Sequence, residues 1–209
     1  SDKQRRELFE QTATVKGVHP AIIEKDFWVC WVLKKLFVSE HLADQLVFKG
    51  GTSLSKVHQL IDRFSEDIDL VLNWELLGYG KDGQDPWETQ QSATRQNKFN
   101  AEFNRRAQEY IEETLCPLLT ELLASCPGVT PVVSKTEDQV VDIRYPAAFE
   151  LSALRPQVKL EIGPLASWVP SASHIIQPYA AEEFRQVFDD PDCPVVAITA
   201  ERTFWEKAT

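Results

Sequence analysis

The 209-residue sequence contains no methionine, no CxxC pair, no P-loop and no long apolar run. Each absence removes a class of protein. Without a stretch of about 18 apolar residues, no transmembrane helix is expected. Without G-x-x-x-x-G-K-[ST], a P-loop kinase or phosphate-binding hydrolase is disfavoured. The four cysteines, Cys30, Cys116, Cys126 and Cys193, are scattered, and no histidine lies at metal-ligand spacing from them. They read as reduced residues of a cytoplasmic protein. Basic residues are in deficit: 22 Lys and Arg against 32 Asp and Glu give a formal net charge of -10. A protein that coats nucleic acid carries the opposite balance, so a nucleic-acid substrate would be held by a local patch. The start, Ser1-Asp2-Lys3-Gln4-Arg5-Arg6, leads into a polar helix rather than a signal peptide. The end, Glu201 to Thr209, reads as a helix with no Gly or Pro stop, and the native chain is expected to continue.

What remains is an α/β pattern. Residues 3–15 read as a helix, and a second begins at Pro20, a residue suited to a first helical turn, and runs to about Phe37. Leu46-Val47-Phe48 is a short buried strand broken by Gly50-Gly51, after which Thr52 to Ile61 reads as a helix. Ile68 and Leu70 to Leu72 form a strand with acids interleaved. Residues 73–95 read as a long loop, of a length that suggests a lid. The longest helical pattern covers 96–124, with a kink expected at Pro117. Strands are expected at 129–133, 139–145, 158–162 and 195–198, a Pro- and Ser-containing connection at 164–180, and a short helix at 181–188. The order implies a mixed sheet flanked by helices. Residues 1–45 form an N-terminal helical segment packed on the core, 46–199 the core, and 200–209 the start of a further helical region.

Chemistry concentrates in Lys49-Gly50-Gly51-Thr52-Ser53 and Arg63-Phe64-Ser65-Glu66-Asp67-Ile68-Asp69. Glycines between a strand and a helix let backbone N–H groups approach a phosphate closely, and Thr52 and Ser53 offer hydroxyl donors. Asp67 and Asp69 stand at i and i+2 on a strand and so share a face. Two carboxylates side by side repel unless a cation sits between them, and magnesium is the usual choice when a triphosphate supplies the other oxygens. Glu161, in Val158-Lys159-Leu160-Glu161-Ile162, would be a third acid if its strand lies beside the first. Each element alone has an ordinary reading: a turn, a solvated pair of acids, an exposed edge strand. Glu24 and Lys25 read as a solvated helix pair.

Together these motifs resemble the polymerase-beta-like nucleotidyltransferase fold. The stretch Phe48 to Leu70 resembles one branch of it, the AbiEii/AbiGii toxin family, as do Glu24-Lys25-Asp26 and Glu201 to Lys207. The resemblance implies a metal-dependent transfer of NMP from an NTP to an acceptor, RNA and in some members the tRNA 3′ end. It implies a toxin of a type IV toxin–antitoxin or abortive-infection system, with an antitoxin encoded nearby. By that resemblance Gly50, Gly51, Thr52 and Ser53 bind the triphosphate, and Asp67, Asp69 and Glu161 hold Mg2+ or Mn2+. Lys207 meets a nucleotide phosphate or is an exposed helix lysine. Arg63 meets a phosphate, orients the acids or forms an ordinary salt bridge. Ser65 and Lys159 complete the nucleotide-binding set, Lys159 being a rival to Glu161 for the key role on its strand. The alternative is an inactive nucleotide- or partner-binding module on the same fold. Lys49, Lys56 and Arg63 are the local positive charges nearest the motif.

Overall fold

The computed structural model describes residues 2–61, 64, 65, 67–80, 92–164 and 168–208, side chains after Trp205 excepted. Helices α1 (Asp2–Lys16) and α2 (Pro20–Val38) precede β1 (Leu46–Lys49). Then follow α3 (Gly50–Lys56), β2 (Asp67–Leu72), α4 (Ala93–Tyr110) and α5 (Cys116–Leu123). The remainder is β3 (Thr130–Val133), β4 (Val140–Arg144), β5 (Gln157–Gly163), β6 (Ser171–Ile176), α6 (Tyr179–Glu183), β7 (Cys193–Ile198) and α7 (Ala200–Ala208). The seven strands form one mixed sheet in the order β3-β4-β5-β2-β1-β7-β6, flanked by helices.

Alternation sets which side of each strand faces the core. In β5, Val158, Leu160 and Ile162 are buried while Lys159 and Glu161 face the other way; in β2, the buried Ile68 and Leu70 alternate with Asp67 and Asp69. Helix α2 is buried on nearly its whole circumference: Trp28, Val29, Val32, Leu33 and Leu36 join Phe48, Leu70, Leu160 and Ala197 in one core. The N-terminal segment is therefore built into the core of the sheet. Helix α1 makes a smaller cluster, through Phe9 and Ala13 against Ile23 and Ala180.

Three departures from the sequence reading have local causes. The expected 73–95 loop contains a short 3-10 turn, Trp74–Leu77, capped by the Asn73 side chain, and helix α4 begins at Ala93 under a Ser92 cap; residues 81–91 lie outside the described set. The long helix does not simply kink at Pro117. A π-helical segment, Ile111–Leu115, precedes it, which relieves the contact between the proline ring and the carbonyl one turn back. Strand β6 falls within the stretch expected to be a connection. It is an edge strand with both faces partly exposed, so Ser171-Ala172-Ser173-His174 carries no hydrophobic alternation to announce it.

Candidate active site

The site forms where β1, β2 and β5 lie side by side. Strands β2 and β5 are parallel, with Asp67 opposite Lys159 and Asp69 opposite Glu161. Strand β1 is antiparallel to β2 and places Lys49 opposite Asp69. Lys49, Asp69 and Glu161 thus form one row across three strands, and Asp67 and Lys159 form the next. Strands lie about 4.8 Å apart, so carboxylates on adjacent positions are close neighbours. Lys49, Asp69 and Glu161 line a cleft of about 320 Å3 with Glu137, Asp138 and Gln139 from the β3–β4 turn. A second cleft of about 230 Å3 takes in Asp67, Lys159, Glu137 and Arg155.

The glycine loop is fitted to this row. Gly50 adopts φ +78°, a left-handed conformation that favours glycine, and an added Cβ would sit 1.8 Å from Asp69 Oδ2. Only a residue without a side chain lets Asp69 lie against the start of α3. The hydroxyls of Thr52 and Ser53 do a different job from the one expected of them. Thr52 Oγ1 donates to the Asp67 carbonyl, tying α3 to β2, and Ser53 Oγ donates to the Gly50 carbonyl at 3.0 Å. Both residues are buried. They fix the loop's shape, so a phosphate at this loop would meet backbone N–H groups.

Glu161 Oε1 lies 2.8 Å from Lys159 Nζ, which also binds Glu137. Hydrogen bonds that it donates to Glu137 and then Glu161 hold the Lys159 ammonium above its ordinary range. Among the described residues no three His, Cys, Asp or Glu side chains gather into a ready-made metal cage. The backbone brings the three acids to one face, but their side chains do not converge as expected from sequence, because Lys159 occupies Glu161. The donor set still fits magnesium, which takes hard oxygen ligands and commonly one or two carboxylates plus substrate phosphates. Asp67 and Asp69 meet that need, and Glu161 requires only a side-chain rotation away from Lys159.

The other candidates divide. Ser65 is half-buried in the α3–β2 connection and lines neither cleft. Arg63 lies outside the described residues, as does the side chain of Lys207, whose backbone is in α7. Lys56 is not a surface charge: its ammonium is buried, 2.8 Å from Asp26 Oδ1 and 3.9 Å from the centre of the Tyr179 ring. Nor are Glu24 and Lys25 a solvated pair. Glu24 is 1% exposed and accepts from the N–H groups of Ala148 and Phe149, and Lys25 is 2% exposed and donates to the carbonyls of Arg155 and Gln157.

A family model described as nucleotidyl transferase AbiEii toxin, type IV toxin–antitoxin system, matches residues 31–209. The chain belongs to this family. The match covers β1, the glycine loop, the Asp67–Asp69 strand and Glu161, and leaves Glu24-Lys25-Asp26 outside it. No curated protein matches the chain. Sequence reasoning passed over Lys49 as a member of the row, although it immediately precedes Gly50 and any antiparallel β1–β2 pairing brings it near the acids. Glu137 carries no local signal, since only the turn between two strands delivers it.

Proposed function

We propose that the chain transfers a nucleoside monophosphate from an NTP to an acceptor RNA, the tRNA 3′ end being the expected target. Asp67 and Asp69, joined by Glu161, would hold Mg2+ or Mn2+. The supporting observation is the cross-strand row Lys49–Asp69–Glu161 with Gly50 packed against Asp69, which sets a phosphate-sized backbone approach beside the carboxylates. The bound cation would neutralise triphosphate charge and favour departure of pyrophosphate. Backbone N–H groups of Gly50 to Ser53 would orient the triphosphate, and Lys49 and Lys159 would face its oxygens. The acceptor hydroxyl oxygen would attack the α-phosphorus and give up its proton to a carboxylate of the row or to water, while the bond from the α-phosphorus to the bridging oxygen of the β-phosphate breaks and pyrophosphate leaves. In cells the chain would act in the cytoplasm as the toxin of a pair, restrained by an antitoxin. No helix among the described residues is long and apolar enough to cross a membrane.

The test is incubation of the protein with α-labelled NTPs, Mg2+ and total RNA. Labelled RNA is expected with the wild type and none with Asp67→Asn. Retained NTP binding with no transfer to any RNA would favour the inactive binding module. Induced expression of the complete gene should slow bacterial growth and its Asp69→Ala variant should not; equal growth of both would count against toxicity.

A further inference from the structure

A cavity of about 630 Å3 lies outside the acidic row, under the β4–β5 connector, residues 146–156. Tyr145, Phe149, Leu151, Leu154 and Pro156 give it apolar and aromatic walls, and Glu150, Ser152 and Arg155 supply its polar groups. Arg155 also lines the cleft that contains Asp67, so both spaces border this residue. Among the described residues that guanidinium has no ion-pair or hydrogen-bond partner. In a chain of net charge -10, an uncommitted arginine beside acids is set to receive an anion brought by a ligand. The cavity lies on the β5–β4 side of β2, whereas the glycine loop follows β1 on the opposite side.

The cavity is also held open. Glu24 grips the N–H groups of Ala148 and Phe149 on one wall, at 2.9 to 3.1 Å, and Lys25 grips the Arg155 and Gln157 carbonyls on the other. Burying a carboxylate and an ammonium on consecutive helix positions carries a large desolvation cost. Apolar side chains would pack α2 as well, but they could not tether two stretches of irregular backbone at a fixed separation. A preformed, mostly apolar pocket of this size with a few convergent polar groups is what a small planar ligand needs.

We infer that this pocket receives the terminal nucleobase of a single-stranded acceptor RNA, with Arg155 on the adjoining backbone phosphate, leading the terminal hydroxyl toward Asp67. The inference rests on the nucleotidyl-transfer reading. Bases stack on aromatic and apolar walls without sequence preference, and a guanidinium matches a phosphate. The NTP is placed by the glycine loop across β2, which leaves this pocket to the second substrate.

The test uses Asp69→Asn protein, so that binding is read without turnover, and a fluorescein-labelled single-stranded RNA 12-mer followed by anisotropy. Arg155→Ala and Ser152→Trp, both changes of exposed residues, should each weaken RNA binding about tenfold. Arg155→Ala should also reduce the slope of log K against log salt by about 0.7, one phosphate contact to a single strand. Binding of NTP, titrated separately, should hold. RNA affinity unchanged in both variants would overturn the inference, as would a loss of NTP affinity instead, which would make the pocket the NTP's own base site. Wild-type protein that transfers label to a protein but binds no RNA would overturn it too. If transfer itself fails while the 12-mer still binds through Arg155, the pocket stands and the reaction assignment falls.

Discussion

Two groups of charged residues are used in opposite ways. Asp67, Asp69 and Glu161 lie half-buried on the open face of β2 and β5, in clefts that a ligand can enter. Glu24, Lys25 and Asp26 occupy consecutive positions of α2 and are all about 98% or more buried. Consecutive helix residues point about 100° apart, so the three reach three different parts of the chain. Glu24 reaches the β4–β5 connector, Lys25 the start of β5, and Asp26 the Tyr179 N–H at 2.6 Å and Lys56 at 2.8 Å. Burial pushes the Asp26 carboxyl up, against the pull of the Lys56 ammonium and the Tyr179 N–H. Lys56 closes the last turn of α3, the helix that the glycine loop begins. The buried charges set the frame, and the half-buried ones line clefts. Exposure distinguishes them, where residue type does not.

Substitutions should separate the two groups sharply. The largest effect is on activity: Asp69→Asn should lower nucleotidyl transfer by more than ~100-fold while leaving the urea midpoint almost unchanged. A midpoint drop comparable to that of a core variant would make Asp69 a structural acid and erase the contrast. Next, Asp26→Ala removes the nearest partner of a buried ammonium, leaving Glu182 at 3.7 Å, and should cost about 3–5 kcal/mol, read from urea denaturation. Loss of under about 1 kcal/mol would show that Lys56 finds water or another partner. Gly50→Ala belongs to both groups. Its left-handed backbone costs about 1–2 kcal/mol, and its Cβ must displace the Asp69 carboxylate, so activity and stability should fall together. The smallest effect concerns pH. Burial pushes the Cys193 thiol up to about 12, so from about pH 9 the unfolded chain loses this proton while the folded chain keeps it. The folded state then binds more protons, and stability falls as pH rises. Cys193→Ala should flatten the decline in urea midpoint between pH 8 and 10 relative to wild type; an unaltered slope would remove the thiol from the account.

The sequence made the open group legible and concealed the buried one. Asp67, Ile68 and Asp69 alternate along a strand, and glycines between apolar strand and helix are local signals, so both the face and the loop could be read from spacing. The partnership of β2 with β5 could not, because some 90 residues separate Asp69 from Glu161 and pairing depends on the whole sheet order. Glu24 and Lys25 looked like a solvated pair because helix periodicity alone does not say that a polar position is buried. The hint was present: Ile22, Ile23, Phe27 and Trp28 surround them with apolar residues on all sides, the pattern of a helix with no solvent face. Strand β6 was hidden for the converse reason, since an edge strand need not alternate. Lys159 was read as a rival to Glu161, and the structure makes it that residue's ion-pair partner.

The central claim is that the β2 acids hold the divalent cation with the nucleotide. It is tested most directly by calorimetric titration of Mn2+ into protein saturated with a non-hydrolysable NTP analogue, each of the four bases in turn. Wild-type protein should bind Mn2+ with at least one analogue. Asp67→Asn and Asp69→Asn should each lose that binding while unfolding at the wild-type urea midpoint. Undiminished Mn2+ binding in both folded variants would contradict the account.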